Sequence, residues 1–414
     1  MKDFINIGIV GAYSRPGWVA SVMRTRTAGR ARIVACVEPS DVNYEKSQQT
    51  YKFKDMTRYV SVADMVANEQ LDGIIIGSPN MYHLENLLAL KGKSIPVLLE
   101  KPLDASWENI CNVVRFCRSY NAPVLIGHCM RFAPILVKAK EMITSGKLGK
   151  IGSATFVQYC HYGNAMYHCW RREMKNGGGM MLEKATHDID VMQWLLDSKV
   201  KSVTASGRLV AYGGNESDEL HCQNCEKVFS CPESPINIRH RWSEGENEIF
   251  ELANVELGVC SLAKCVDVPD DEINLIKFEN GIHGTYSHMF YSARNFKHRV
   301  YTICGTLGSM EIDLGEYSGK ILFTERYSSS YDKQVLEFDY LKRNHYNGDG
   351  YMCRHFYEVI TQNVKPLATV EQAFFAEALG YAAILSQKED RQVKVAEIIP
   401  DDLKCLLDEE LLFI

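Results

Sequence analysis

Ile95-Pro96-Val97-Leu98-Leu99-Glu100-Lys101-Pro102 is the stretch that decides the fold. Its apolar half reads as a buried parallel strand. Pro102 has no N–H to donate to a ladder and ends that strand. Glu100 and Lys101 then stand at the carboxyl edge of a sheet, where open α/β folds bind ligands. A solvated ion pair at a strand end is the ordinary alternative, and the flanking chain argues against it.

Upstream, Ile5 to Val10 is a strand that runs into Gly11-Ala12-Tyr13-Ser14-Arg15-Pro16-Gly17, followed by a helix from Trp18. Strand, glycine turn and helix are the layout of a dinucleotide fold, whose helix N-terminus offers N–H groups to a pyrophosphate. Gly11 fits the tight turn. Tyr13 occupies the place of a second glycine, and Pro16 is an insertion acceptable at a first helical turn. Ser14 and Arg15 complete the expected phosphate contacts, with Arg15 supplying charge. The second strand, Arg32 to Val37, ends in Glu38. A carboxylate there bonds both ribose hydroxyls and repels a 2′-phosphate, which favours NAD over NADP. Leu71 to Gly77 is a further strand, ending in Ser78-Pro79-Asn80 with His83 just beyond. Pro123 to His128 is the last. Six strands alternating with helices predict a doubly wound parallel sheet over residues 1–127.

The chain has 414 residues, 46% hydrophobic and 24% charged, with a net charge of −6. That is ordinary for a globular protein of about two domains. It gives no footprint for nucleic acid or an anionic membrane. Met1-Lys2-Asp3-Phe4 leads straight into a strand, so no signal peptide is expected and the cytoplasm is the expected compartment. The 14 cysteines, scattered through core-like segments, read mostly as reduced thiols.

These residues carry a resemblance to the Gfo/Idh/MocA oxidoreductases, the glucose–fructose oxidoreductase and inositol dehydrogenase family. The matching positions are Gly8 to Gly17, Ser78-Pro79-Asn80 with His83, Glu100-Lys101-Pro102 and Gly127-His128-Cys129-Met130-Arg131-Phe132. Gly177-Gly178-Gly179 follows, with Glu183, His187 and Asp190. The resemblance implies that Lys101 contacts the reacting hydroxyl, that the strand-edge loops hold the cofactor, and that His187 is a general acid/base. It also implies a C-terminal α+β domain over residues 128–414, built on a large, mainly antiparallel open sheet. Its last helices are expected to pack back on the first domain. That sheet pairs subunits in the family, so a homodimer or homotetramer is expected.

Met181 to Leu196 reads as one helix. Ala185, Ile189, Met192 and Leu196 form its core stripe, and Glu183, His187 and Asp190 lie on another face. Oxidising an alcohol moves a hydride to a nicotinamide and a proton to a base. A histidine suits the proton, a lysine ammonium suits the developing alkoxide, and Glu183 would orient the imidazole. Tyr162, His168, Trp170 and Arg171 form an aromatic and cationic wall suited to a sugar, to which His128, Arg131 and Lys184 are added. Cys222, Cys225 and Cys231, with His221 or His240, suit a structural zinc; a disulfide or plain thiols are the alternatives. His345-Tyr346-Asn347-Gly348-Asp349 resembles a family loop near the site.

The expected function is NAD-dependent oxidation of a hydroxyl carbon in a sugar, sugar derivative or cyclic polyol. A redox-neutral glycosidase, acting by transient oxidation and elimination, would use the same residues. A non-catalytic NAD-sensing regulator would not need both Lys101 and His187.

Overall fold

The computed structural model describes residues 4–53, 55–238, 258–294, 296–329, 333–340 and 345–411. His240 lies outside them. In the first sheet β1 (Ile5–Val10), β2 (Ala31–Val37), β3 (Thr57–Tyr59), β4 (Gly73–Ile76), β5 (Val97–Leu99) and β6 (Val124–Ile126) are ordered β3-β2-β1-β4-β5-β6. All neighbours are parallel. Strand order reverses between β1 and β4, so a crevice opens beyond their carboxyl ends. Glu38, Ser78 and Glu100 follow β2, β4 and β5 directly and therefore rim that crevice.

Around this sheet lie α1 (Ser14–Arg26), α2 (Asp41–Tyr51), α3 (Val62–Asn68), α4 (His83–Leu88) and α5 (Trp107–Ser119). Ser40, Ser61 and Ser106 cap α2, α3 and α5 with their hydroxyls. At α1 no side chain caps the N-terminus, and no acidic residue sits in its first turn. Its leading N–H groups are left for another acceptor.

The second sheet, in the described residues, has the order β14-β13-β12-β11-β7-β10-β9-β8-β15. Its strands are β7 (Ile151–Tyr159), β8 (Val200–Arg208), β9 (Asp271–Phe278), β10 (His283–Met289), β11 (Arg299–Gly305), β12 (Gly308–Leu314), β13 (Ser318–Glu325), β14 (Gln334–Asp339) and β15 (Val393–Lys394). Only β7 and β10 pair in parallel. Sequence periodicity passes over β7, although it lies at the centre. Its inward positions are Ala154, Phe156 and Gln158, and so lack an apolar alternation. One face packs on the core; Ile273 and Leu275 of β9 stand exposed on the other.

Between the sheets run α6 (Pro134–Thr144), α7 (Met180–Glu183) and α8 (Ala185–Leu196). The expected single helix is thus broken, with Lys184 at φ −123° joining two pieces. The stripe Ala185, Ile189, Met192 and Leu196 is buried as expected. Every residue of α8 is buried, polar ones included.

Late in the chain, α9 (Gly348–Gln362) and α10 (Val370–Glu389) return to the first sheet. Met352, Cys353, Phe356 and Val359 share one apolar cluster with Ile5, Ile7, Val19 and Met23. A Cβ at Gly73 would meet the Ile360 side chain at 2.7 Å, so β4 and α9 touch closely. Phe356→Ala should lower the unfolding free energy by about 3–5 kcal/mol, the usual cost of emptying a buried aromatic site. A urea midpoint unmoved by the change would show that α9 is no part of the first domain's core.

Candidate active site

The loop after β5 is held from three sides. His83 places Nδ1 2.9 Å from the Pro102 carbonyl oxygen and Nε2 3.0 Å from that of Ser78. This fastens the β4 and β5 loops together. The Leu103 N–H donates to Glu377 Oε1 at 2.6 Å, from α10. The Lys101 ammonium donates to the Glu183 main-chain oxygen at 2.6 Å, from the second domain. Enclosure pulls Lys101 below its ordinary pKa, against the opposing pull of Glu183 and Glu100.

Glu100 is buried and receives Arg15 Nε at 3.0 Å. The same guanidinium donates to Asp349 Oδ1 at 2.8 Å, and His345 Nδ1 lies 3.0 Å from Asp349 Oδ2. This chain of charges ties α1, the β5 edge and the start of α9 into one cluster.

His187 lies on α8, nearly fully buried, and its Nδ1 has no partner among the described residues. The His345 ring centroid is 5.5 Å away and that of His128 is 6.0 Å away. Burial holds His187 well below its ordinary pKa, and the charge of nearby Lys101 adds to this. His187 is therefore neutral at physiological pH and has a lone pair to offer. Burial likewise lowers His128 to about 4, where neither ring nitrogen has a partner. Lys184 falls to about 8 through burial and the charge of Lys101, and its Nζ sits 5.5 Å from the Tyr162 ring centre.

Several expected roles change. Glu183 does not orient His187. Its carboxylate accepts Arg171 Nε at 2.8 Å and Asn80 Nδ2 at 3.3 Å. The break at Lys184 takes it off the helical register that would have put it over the imidazole. Burial pushes the Glu183 carboxyl up, but Arg171, Lys101 and Lys184 hold it below its usual range.

Arg15 is turned onto Glu100 and Asp349, so its charge is matched inside the protein rather than offered to a pyrophosphate. Arg131 is clamped to Asp190 by two bonds of 2.6 Å and to Gln372 at 2.7 Å, which removes it from the substrate wall. His168 is removed too. It is buried, with Val259 and Glu233 carbonyl oxygens at 2.9 and 2.8 Å from its ring nitrogens. Tyr162 lies beside Lys184, and Trp170 carries the Arg171 guanidinium 4.3 Å from its ring centre.

The thiols of Cys222, Cys225 and Cys231 are unbridged and lie in one neighbourhood with Cys260, but among the described residues they do not come within 4.8 Å of one another as a set of three. Cys222 instead lies 3.6 Å from His168 Nδ1. Among the described residues, the grouping of that kind is Cys129, His187 and His345. Cys129 sits inside the Gly127–Phe132 motif, but a lone buried cysteine carries no spacing signal that would mark it as a ligand.

The crevice beyond β1 fits a dinucleotide. Gly11 has φ +84°, and a Cβ there would meet Pro16 Cγ at 2.9 Å and the Gly77 oxygen at 3.4 Å. The turn can therefore be tight only with glycine. Tyr13 precedes and Ser14 opens the uncapped first turn of α1, which is the anion-binding geometry. Glu38 is buried beside it and accepts the Ala12 and Ser40 N–H groups at 2.9 and 3.1 Å.

Comparison with known proteins assigns the fold to a family. The profile "Oxidoreductase family, NAD-binding Rossmann fold" matches residues 5–128, and "Oxidoreductase family, C-terminal alpha/beta domain" matches residues 140–395. The chain belongs to the Gfo/Idh/MocA oxidoreductase family. It is an NAD-binding member with both family domains. A 2,7-anhydro-N-acetylneuraminate hydratase of Mediterraneibacter gnavus is 26% identical over 403 residues, spanning 89% of this chain and 91% of that one. An inositol 2-dehydrogenase of Corynebacterium glutamicum is 22% identical over 263 residues, spanning 62% and 75%. Levoglucosan dehydrogenase, solved with NADH and levoglucosan, shares the fold with a TM-score of 0.73 at 15% identity, covering 94% of this chain and 99% of that one. Among the described residues no helix is long and apolar enough to cross a membrane.

Because His128 is kept neutral, protons favour the unfolded chain between its ordinary value of 6.5 and about 4. Its contribution is intact above pH 6.5 and is lost as pH falls toward 4, by about 3 kcal/mol in all. His128→Asn should flatten the fall in urea-unfolding free energy between pH 7 and 4.5. An equally steep fall in the variant would contradict the assignment.

Proposed function

We propose that this protein oxidises a secondary alcohol of a sugar, sugar derivative or cyclic polyol with NAD. The observation that carries the reading is an imidazole, His187, whose Nδ1 has no partner among the described residues and which feels the charge of Lys101, at a crevice suited to a dinucleotide. Bound NAD would supply the hydride acceptor. Lys101 donates a hydrogen bond to the substrate oxygen and stabilises the charge that develops on it. His187, neutral at the working pH, takes the proton of that hydroxyl. Glu183 acts at one remove: its main-chain oxygen aims the ammonium, and its carboxylate fixes Arg171. Trp170, Tyr162, Arg171 and Lys184 form the wall on which a polyhydroxylated ring would rest. The substrate class is supported by the names of the inositol and levoglucosan dehydrogenases. A soluble cytoplasmic enzyme, paired through the exposed apolar face around Ile273 and Leu275, completes the proposal.

A second reading has its own support. Lys184, lowered to about 8, is a further group able to move a proton beside Lys101. A redox-neutral reaction needs such a group, because oxidation is followed by elimination or addition at the neighbouring carbon before the hydride returns. The hydratase relative spans nine-tenths of both chains.

A panel of inositols, hexoses and anhydro-sugars with NAD, read at the NADH absorbance and by product chromatography, separates the two readings. Net NADH supports oxidation; product without net NADH supports the redox-neutral route. Lys101→Met should lower kcat at least about 100-fold and leave the NAD dissociation constant nearly unchanged. His187→Asn should lower kcat by about 10²–10⁴-fold. Unchanged turnover in the lysine variant would remove Lys101 from the mechanism.

A further inference from the structure

We infer that the floor of the cleft is a binding site for one divalent transition-metal ion, zinc above all, held by Cys129 Sγ and the imidazoles of His187 and His345. The three ligand atoms already lie within 4.8 Å of one another. A tetrahedral zinc, with Zn–S about 2.3 Å and Zn–N about 2.1 Å, sets its ligands about 3.5 Å apart. Closing the set takes side-chain rotation of about 1 Å.

Three elements build the site. Cys129 opens the turn after β6, and a Cβ at Gly348 would meet the Cys129 oxygen at 2.2 Å. The start of α9 is therefore pressed against this turn. His345, Tyr346 and Asn347 precede α9 with φ of 38°, 60° and 70°, a left-handed run that non-glycine residues rarely adopt. This run carries the His345 ring to within 5.5 Å of His187.

Two further features point to a ligand. His187 Nδ1 is buried and unpartnered, so a strong acceptor is left without its due. His345 sets Nδ1 3.0 Å from Asp349, the carboxylate–imidazole arrangement that orients ligating histidines. Cys129 and His187 are buried while the His345 side chain is 34% exposed, so an ion can enter from that side and keep a fourth position open.

The charges that act on His187 are cationic, Lys101 and Arg299, with Arg299 matched by Asp188; beside Cys129 and His345, Glu100 and Asp349 are matched by Arg15. On binding, the Cys129 thiol gives up its proton to solvent. Affinity then comes from sulfur and imidazole bonding rather than from excess negative charge. Zinc, cobalt and cadmium should bind, and magnesium and calcium should not. An ion here would occupy the His187 lone pair. If the proposed oxidation is correct, zinc inhibits it in competition with substrate but not with NAD.

The decisive test needs no substrate. Cobalt(II) titrated into the chelator-treated full-length protein should give a thiolate-to-cobalt charge-transfer band and d–d bands, saturating at one ion per chain. Zinc should bleach them and magnesium should not. Cys129→Ser should lose the charge-transfer band, and Cys222→Ser should keep it. His345→Asn, at a more exposed position less bound to folding, should weaken cobalt affinity about 100-fold. Absence of the band in the wild type overturns the inference. So does a band undiminished in both Cys129→Ser and His345→Asn. Failure to turn over any sugar would leave the cobalt result intact, so it would count against the oxidation alone.

Discussion

The architecture turns on one hydrogen bond, the Lys101 ammonium donated to the main-chain oxygen of Glu183. A cation at a sheet edge, partly shut off from water, must find acceptors nearby. The first domain supplies Glu100, which is already engaged by Arg15. The second domain supplies the missing oxygen from the break between α7 and α8. That bond needs the break, because a carbonyl inside a continuous helix would point along the axis to its own N–H four residues on. Loss of helical regularity at Lys184 is thus what lets the two domains meet at the ammonium.

Helix α8 states the functional case by exception. It is buried on every side yet carries Asp188, His187 and Asp190. Asp190 is met by Arg131. Asp188 is met by Arg299 Nε at 2.8 Å and by the hydroxyls of Tyr301 and Tyr286. A buried carboxylate without such partners would be costly. The His187 imidazole just before them has an Nδ1 with no partner among the described residues, and burial, with Lys101 adding to it, keeps the ring neutral. The carboxylates at 188 and 190 are satisfied inside the fold, and the proposed base is the residue just before them. The same openness makes His187 available to a metal together with Cys129 and His345.

The first domain was largely legible, because buried parallel strands such as Leu98-Leu99 and Ile74-Ile75-Ile76 announce themselves as apolar runs with abrupt ends. The positions of Lys101 and His187 were legible through motif resemblance, while their local frame was not. Spacing of i, i+4 and i+7 placed Glu183 under His187 only on the assumption of one unbroken helix. Arg15, Arg131 and His168 have the composition of ligand-binding residues, but each is consumed by an internal partner far away in sequence: Asp349, Asp190, and the Glu233 and Val259 carbonyls. Such pairings follow from tertiary contact alone. Strand β7 escaped because a central strand packed between two others tolerates alanine and glutamine on its inner face. The cysteine triplet looked like a zinc motif by spacing, yet the grouping with metal-sized separations joins residues 129, 187 and 345.

The central claim is that one substrate oxygen is held by Lys101 and deprotonated by His187 while hydride leaves the carbon that bears it. Deuterium placed on that carbinol carbon reports the event directly, in either the oxidative or the redox-neutral cycle. Rapid quenching within a single turnover, followed by NMR of the recovered nucleotide, should find the label at the nicotinamide C4 position. Product formed while every deuterium stays on the sugar and none reaches the nicotinamide would contradict the account.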